Sequence, residues 1–267
     1  MKKLAILPIL LAACATIRTP PPAPASQAVE CNPGLAIVNA SLWNQSAAEY
    51  DAVALSAWNG ARRAVEAGLA QSESRPAAII LDADETTLDN TAFEARMVHM
   101  GKTYDSAEWA KWINEASARA VPGSVEFLQW AASRGVKAFY VTNRKADEER
   151  GTTENLRRLG FPLTPDSVLV RGERPEWASR DKTARRDWVA SQYRVLAVIG
   201  DDLNDFVNTQ GASAAERDAL VASNAAEWGA RWFVIPNPIY GSWEDVITGE
   251  GTPCEKLNRK VQALSPR

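Results

Sequence analysis

A single histidine, His99, serves a chain of 267 residues. That scarcity excludes a centre built from several imidazole ligands, and a Ser-His-Asp triad unless His99 is its base. His99 follows Met97 and Val98 in an expected helix, where a structural place is the simpler reading. Cysteine is nearly as rare, with Cys14, Cys31 and Cys254 only. No cluster of lysine and arginine of the kind that tracks a polyanion is present. The 30 basic and 33 acidic residues leave a formal charge of -3, so nucleic acid is not an expected partner. Long apolar runs are missing too: Leu4 to Ala13 is too short to span a bilayer. What the chain does have is length for a substantial core and ten tryptophans, most of them suited to helix–sheet packing.

Lys2 and Lys3 precede that short apolar run, which ends Leu11-Ala12-Ala13-Cys14. The arrangement resembles the lipobox of a bacterial lipoprotein signal peptide. It implies a signal peptide over 1–13, cleavage before Cys14 and a lipid anchor on its thiol. An ordinary export signal with a chance cysteine is the alternative. Ala15 at the next position implies an outer-membrane lipoprotein facing the periplasm or the cell surface. Thr19 to Ser26 is rich in proline, so 14–30 reads as an extended tether. Cys31 and Cys254 then lie near the two ends of the mature domain. Export permits a bridge between them, worth about 4–5 kcal/mol by loop closure, and two separate thiols remain the other reading.

The chain turns on one stretch, AAIILDADETTLDN, from Ala77 to Asn90. Five uncharged residues with two isoleucines read as a strand buried on both faces. At its end stand Asp82 and Asp84, which alternation would turn to the same side. Two adjacent carboxylates repel unless a positive partner lies beside them, and hard oxygen donors suit Mg²⁺. A solvated acidic turn is the bland alternative.

Residues 33–75 read as helices with apolar spacing of three to four. Beyond Asn90, an insert over 91–120 carries helices at 91–98 and 106–117. Helices are expected at 124–133, 147–159, 180–193 and 213–227. Strands are expected at 136–141, 167–170, 195–199 and 232–235. The alternation predicts an α/β fold. We expect a Rossmann-like three-layer α/β/α arrangement around a central parallel sheet of about five strands, with a smaller helical cap from the N-terminal segment and the insert. The domain spans 31–267, with its catalytic core at 76–245 and a peripheral tail at 246–267.

Ligands of such sheets bind at the carboxyl ends of the strands. Asp82 and Asp84, Thr142, and Asp201 and Asp205 all fall at such ends, on three different strands. Read together they suit phosphoryl transfer: a carboxylate nucleophile, a second carboxylate as proton carrier, a cation between them, and hydroxyl and ammonium groups on the phosphoryl oxygens.

These motifs resemble those of the haloacid dehalogenase-like phosphohydrolases. DADETTLDN, AVPGSVEFLQW, KAFYVTNR, TTENLRRLGFP, DKTARR, GDDLNDF and IPNPIYGSWE resemble the class C bacterial acid phosphatases, over roughly residues 40–245. The resemblance implies hydrolysis of phosphate monoesters, with nucleoside 5′-monophosphates as the expected substrates. Broad monoester scope, or a lipoprotein that binds without turnover, are the competing readings. It further implies Asp82 as nucleophile and metal ligand, and Asp84 as general acid/base, binding one Mg²⁺ through its carbonyl. Thr142 and Lys182 would hold the phosphoryl group, with Asn143 and Arg185 on the substrate. Asp201 would complete the metal site and Asp205 support it. Arg185 and Arg186 alternatively form a solvated helix face. An aromatic clamp would fall on Trp109 and Tyr240; packing against Trp112, or a surface loop, are the plainer alternatives. A homodimer is compatible with the resemblance.

Overall fold

The computed structural model describes residues 31–265; the expected signal peptide, the tether and Cys14 lie outside the described residues. Ala77–Leu81 has no polar side chain, and such a segment is stable as a strand only when both faces are covered. It forms β1, the middle strand of a five-stranded parallel sheet. In chain order the strands are β1 (Ala77–Leu81), β2 (Leu88–Asp89), β3 (Arg119–Ala120), β4 (Lys137–Lys145), β5 (Val168–Arg171), β6 (Arg194–Gly200) and β7 (Trp232–Val234). The helices are α1 (Val38–Ser46), α2 (Ala48–Leu69), α3 (Thr91–His99), α4 (Ser106–Glu115), α5 (Ser124–Ser133), α6 (Glu149–Leu159), α7 (Thr183–Gln192), α8 (Ala214–Ser223), α9 (Ser242–Thr248) and α10 (Pro253–Ala263). The sheet order is β5-β4-β1-β6-β7.

Period-two alternation splits β1 between two cores. Ile79 and Leu81 point into one, with Trp58 and Val65 of α2 and Phe127 and Leu128 of α5. Ala78 and Ile80 point into the other, with Phe139, Trp177 and Val189 of α7. Full burial of Ile79, Ile80 and Leu81 contributes about 1.5–3 kcal/mol each. Tryptophans serve both cores, as expected: Trp58 stacks 5.2 Å from Phe127, and Trp177 meets Trp188 edge-on at 5.8 Å.

Leu81 is in register with Tyr140 of β4 and with Ile199 of β6. The carboxyl ends of these three strands therefore lie side by side, and the polar clusters that follow them meet. Some elements differ from expectation. The insert is not wholly helical: β2 and β3 pair antiparallel, Leu88 with Ala120 and Asp89 with Arg119, and tie its two ends together. β4 runs on through Thr142 to Lys145. The tail folds as α10, capped by Thr252 and Glu255 in a reciprocal box. Cys31 and Cys254 are both disulfide-bonded.

Candidate active site

β1 delivers Asp82, whose N–H still donates to Ile199 of β6 at 3.0 Å. The chain then turns tightly. Thr87 and Leu88 both donate their N–H groups to the Ala83 carbonyl, and Glu85 adopts a left-handed φ of 54°. That conformation is uncommon for a residue with a Cβ and persists where its surroundings over-determine it. Glu85 is buried and accepts from the Asn90 N–H at 3.0 Å and from the Tyr240 hydroxyl. The turn separates the partners of the two aspartates. Asp82 faces Lys182, whereas Asp84 accepts from Arg144 at 2.7 Å and from Asn90 at 2.9 Å.

Lys182 caps α7 and is buried. Its ammonium donates to Asp82 and, at 2.6 Å, to Oδ1 of Asp205. Asp205 spends its other oxygen on the N–H groups of Asp201 and Asp202, at 3.0 and 2.9 Å. Asp201 accepts from Thr86 at 3.0 Å and from Asn237 at 2.9 Å. Burial pushes the Asp82 carboxyl up to about 7; Lys182 opposes that rise, while Asp205 and Asp84 add to it. Burial, with Asp205 and Asp82, pushes Asp201 well above the usual carboxylate range. Burial works against the Lys182 ammonium, but Asp205 and Asp82 raise its pKa above the ordinary value.

One ammonium thus faces several carboxylates, and those of Asp82 and Asp201 hold their protons more tightly than usual. Carboxylate oxygens of Asp82, Asp201 and Asp205 lie within 4.8 Å of one another. Hard oxygen donors in surplus of negative charge fit a divalent cation. Asp205 is already committed to Lys182 and two N–H groups, which suits a supporting place rather than direct ligation.

β4 supplies the opposite wall. The Thr142 hydroxyl is buried and accepts from the Arg144 N–H at 3.1 Å. Arg185 is fully buried, donating to the Thr142 carbonyl and, at 2.8 Å, to Oδ1 of Asn143. It thereby holds the end of β4 in place from beneath. Arg186 donates to the Asn204 carbonyl at 2.8 Å and so braces the loop that carries Asp205. Arg144, Thr86 and Asn237 enter the site without having been singled out as site residues in the sequence. Arg144 had a signal, since it directly follows Thr142 and Asn143 at a strand end. Thr86 had one too, since it lies in the stretch DADETTLDN with Asp82 and Asp84; Asn237 offered none beyond its polarity.

A cleft of about 1050 Å³ opens over Asp82, Asp84, Asn143, Lys182 and Asp201. Trp109 and Tyr240 both line it. Trp109 meets Phe93 edge-on at 4.9 Å, and the Arg144 guanidinium lies 5.3 Å from its ring. It therefore combines packing with a place on the wall. Tyr104, 58% exposed, offers a further ring there that sequence reasoning missed. Glu94 of α3 also lines the cleft. Burial, and then Asp84, push its carboxyl up to about 8.

Residues 10–243 match the model of the HAD superfamily, subfamily IIIB (acid phosphatase). A class C acid phosphatase from Bacillus anthracis superposes with a TM-score of 0.82 at 33% identity, over 88% of this chain and 99% of that one. A tungstate-bound structure of the Bacillus anthracis enzyme gives 0.80 at 33% identity, over 88% and 98%. Acid phosphatase 1 of Solanum lycopersicum is 27% identical over 164 residues, 60% of this chain and 57% of that protein. The stem 28 kDa glycoprotein of Glycine max is 24% identical over 164 residues, 60% of this chain and 58% of that protein. The chain thus spans little more than half the length of these plant relatives.

Proposed function

We infer the activity from a premise of kinship: this chain belongs to the acid phosphatases of the HAD superfamily, subfamily IIIB. On that reading it hydrolyses phosphate monoesters, with nucleoside 5′-monophosphates as the preferred substrates and Mg²⁺ as the cation. The observation that carries it is the meeting of Asp82, Lys182, Asp205 and Asp201 at the ends of β1 and β6. The tungstate held by the Bacillus anthracis relative supports an anion site of phosphate-like shape on this fold.

In the first step an Asp82 oxygen attacks phosphorus, and the bond from phosphorus to the leaving alcohol oxygen breaks. Asp84 gives its proton to that oxygen. An aspartyl phosphate on Asp82 results. Asp84 then takes a proton from water, the hydroxide oxygen bonds to phosphorus, and the bond to Asp82 breaks to release phosphate. Arg144 holds the Asp84 carboxyl toward the cleft in both steps. Lys182 offsets negative charge at Asp82 and on the phosphoryl oxygens. Thr142 and Asn143, steadied by Arg185, present the β4 loop to the phosphoryl group. Asp82, Asp201 and the Asp84 carbonyl would hold the cation, with Asp205 in support; when bound it neutralises charge that these carboxylates cannot share. The rings of Trp109 and Tyr240 would flank the leaving group, where a stacked base gains about 1–3 kcal/mol.

The test is hydrolysis of p-nitrophenyl phosphate by pure protein with and without EDTA, beside 5′-AMP and NMN. Metal-dependent turnover with preference for the nucleotides is the expected result. No turnover would leave a ligand-binding lipoprotein, and equal rates on aromatic and aliphatic esters would leave a broad monoesterase. The N-terminal reading forms part of the same proposal: acyl transfer to Cys14 anchors the domain at the outer membrane. Palmitate labelling of wild type against Cys14→Ser, with fractionation, tests it.

A further inference from the structure

Glu94 is 4% exposed, and its carboxyl, which is not among the fully enclosed unpaired groups and so opens to the cleft, has no hydrogen-bond or ion-pair partner among the described residues. Buried polar groups normally find partners, so an orphan on a cleft wall calls for an explanation. The phosphate end of the cleft is accounted for by Asp82, Lys182 and Asp205. Glu94 belongs instead to the insert after β1, beside Phe93 and near Tyr104 and Trp109, which packs against Phe93. This wall lines the same cleft as Asp84, whose charge acts on Glu94.

We propose that Glu94 recognises the leaving alcohol through a vicinal diol, its carboxyl pairing with two adjacent hydroxyls as on a ribose. The inference deepens the proposed activity and rests on it. A carboxyl with two oxygens matches a pair of neighbouring hydroxyls in number and spacing, since hydroxyls both donate and accept, and an acidic side chain is a recurrent partner of ribose hydroxyls. The aromatic rings next to it take the flat, apolar part of the same leaving group. An alcohol without donors would leave Glu94 buried and unpaired, and sites built to bond a hydroxyl discriminate strongly against analogues that lack it. Glu94 thus selects nucleoside-like or sugar-like esters over simple aryl esters. Asp84, by contrast, is occupied by Arg144 and Asn90 and is reserved for the reacting oxygen.

The experiment measures kcat and KM for 5′-AMP and 2′,3′-dideoxy-5′-AMP, with wild type, Glu94→Gln and Glu94→Ala. Wild type should favour 5′-AMP by roughly 10-fold or more in kcat/KM, mainly through KM. Glu94→Ala should bring that ratio close to one, and Glu94→Gln should retain part of it. An undiminished ratio in Glu94→Ala, or equal use of both nucleotides by wild type, overturns the proposal. Turnover of p-nitrophenyl phosphate by wild type reports separately on the activity itself. If that fails, calorimetric binding of adenosine against 2′,3′-dideoxyadenosine to wild type and Glu94→Ala still decides diol recognition. Circular dichroism melts of both variants separate loss of contact from loss of fold.

Discussion

Arg144 holds Asp84 by two sides of its guanidinium: Nη2 lies 2.7 Å from Oδ1, and Nε lies 3.2 Å from Oδ2. The same guanidinium reaches Thr152 on α6 at 3.1 Å, so it cannot swing away without leaving a buried donor unpaired. Asp84, the proposed proton carrier, is therefore oriented from outside its own loop. Arg144→Lys keeps the charge but loses the fork. We expect kcat to fall by about 10- to 100-fold with a smaller change in KM. Arg144→Ala should in addition destabilise the fold by about 3–5 kcal/mol, because it strands a charge. Wild-type kcat in Arg144→Lys would show that Asp84 needs no such support.

The nucleophile assignment has its own test. Asp82→Asn should abolish turnover of every phosphate ester, while the melting temperature holds or rises, because a buried carboxylate in an acidic cluster is removed. Appreciable residual turnover would refute the assignment.

Acid groups with raised pKa give the fold a definite pH dependence in the absence of metal. Asp82 at about 7 and Glu94 at about 8 bind protons more tightly folded than unfolded. Their contribution is fully present below the ordinary carboxylate range and is lost as pH rises through those values. EDTA-treated protein should therefore melt at a lower temperature at pH 8 than at pH 5. Millimolar Mg²⁺ should raise the melting temperature more at pH 8, where ionised Asp82 is available to it. Differential scanning calorimetry across that range checks both signs. A melting temperature that climbs with pH in EDTA would count against the carboxylate cluster as described.

Gly200 ends β6 where a Cβ would overlap the Asp205 carboxyl. Gly200→Ala should push Asp205 off Lys182 and off the Asp201 and Asp202 N–H groups. We expect a loss of about 1–3 kcal/mol in urea denaturation, as for overpacking, together with a large fall in kcat. A silent substitution would mean that Asp205 has room the geometry denies it.

Tyr240 joins two matters, substrate and turn. Its hydroxyl serves buried Glu85, and its ring lines the cleft. Tyr240→Phe keeps the ring and strands the acid, so it should cost about 1–3 kcal/mol of stability with modest change in nucleotide KM. Tyr240→Ala should add a marked rise in KM. If both variants shift KM equally, the ring is idle.

The sheet was legible because burial on two faces leaves a strong mark: Ala77–Leu81 and the run before Gly200 are apolar without interruption. Asp82, Asp201 and Asp205 were legible because each follows such a run, and Lys182 because it stands in the stretch DKTARR that carries the family resemblance. β2 and β3 were not, since two residues carry no periodicity. Glu94 reads in sequence as an ordinary acid in the first turn of a helix; only the fold of the insert turns it to the cleft. Arg185 read as a substrate contact or a solvated face, and packing instead drew it under Thr142 and Asn143. Asn237 owes its place to the route of the chain between strands, which no local pattern records.

The placing of β1 in the middle of the sheet has a consequence for how the molecule comes into being. Asp82 and Lys182 stand 100 positions apart in the chain, and β1 lacks its second neighbour until β6 has been made. The strand that leads into Asp82 is among the first synthesised, yet it is enclosed among the last. Contacts of such long sequence separation close slowly, because chain entropy must be lost before they reward it. A ribosome-bound chain can therefore hold its helices over 38–69 and β1 and still be catalytically inert. Competence arrives as one late event, when the distal half of the polypeptide docks.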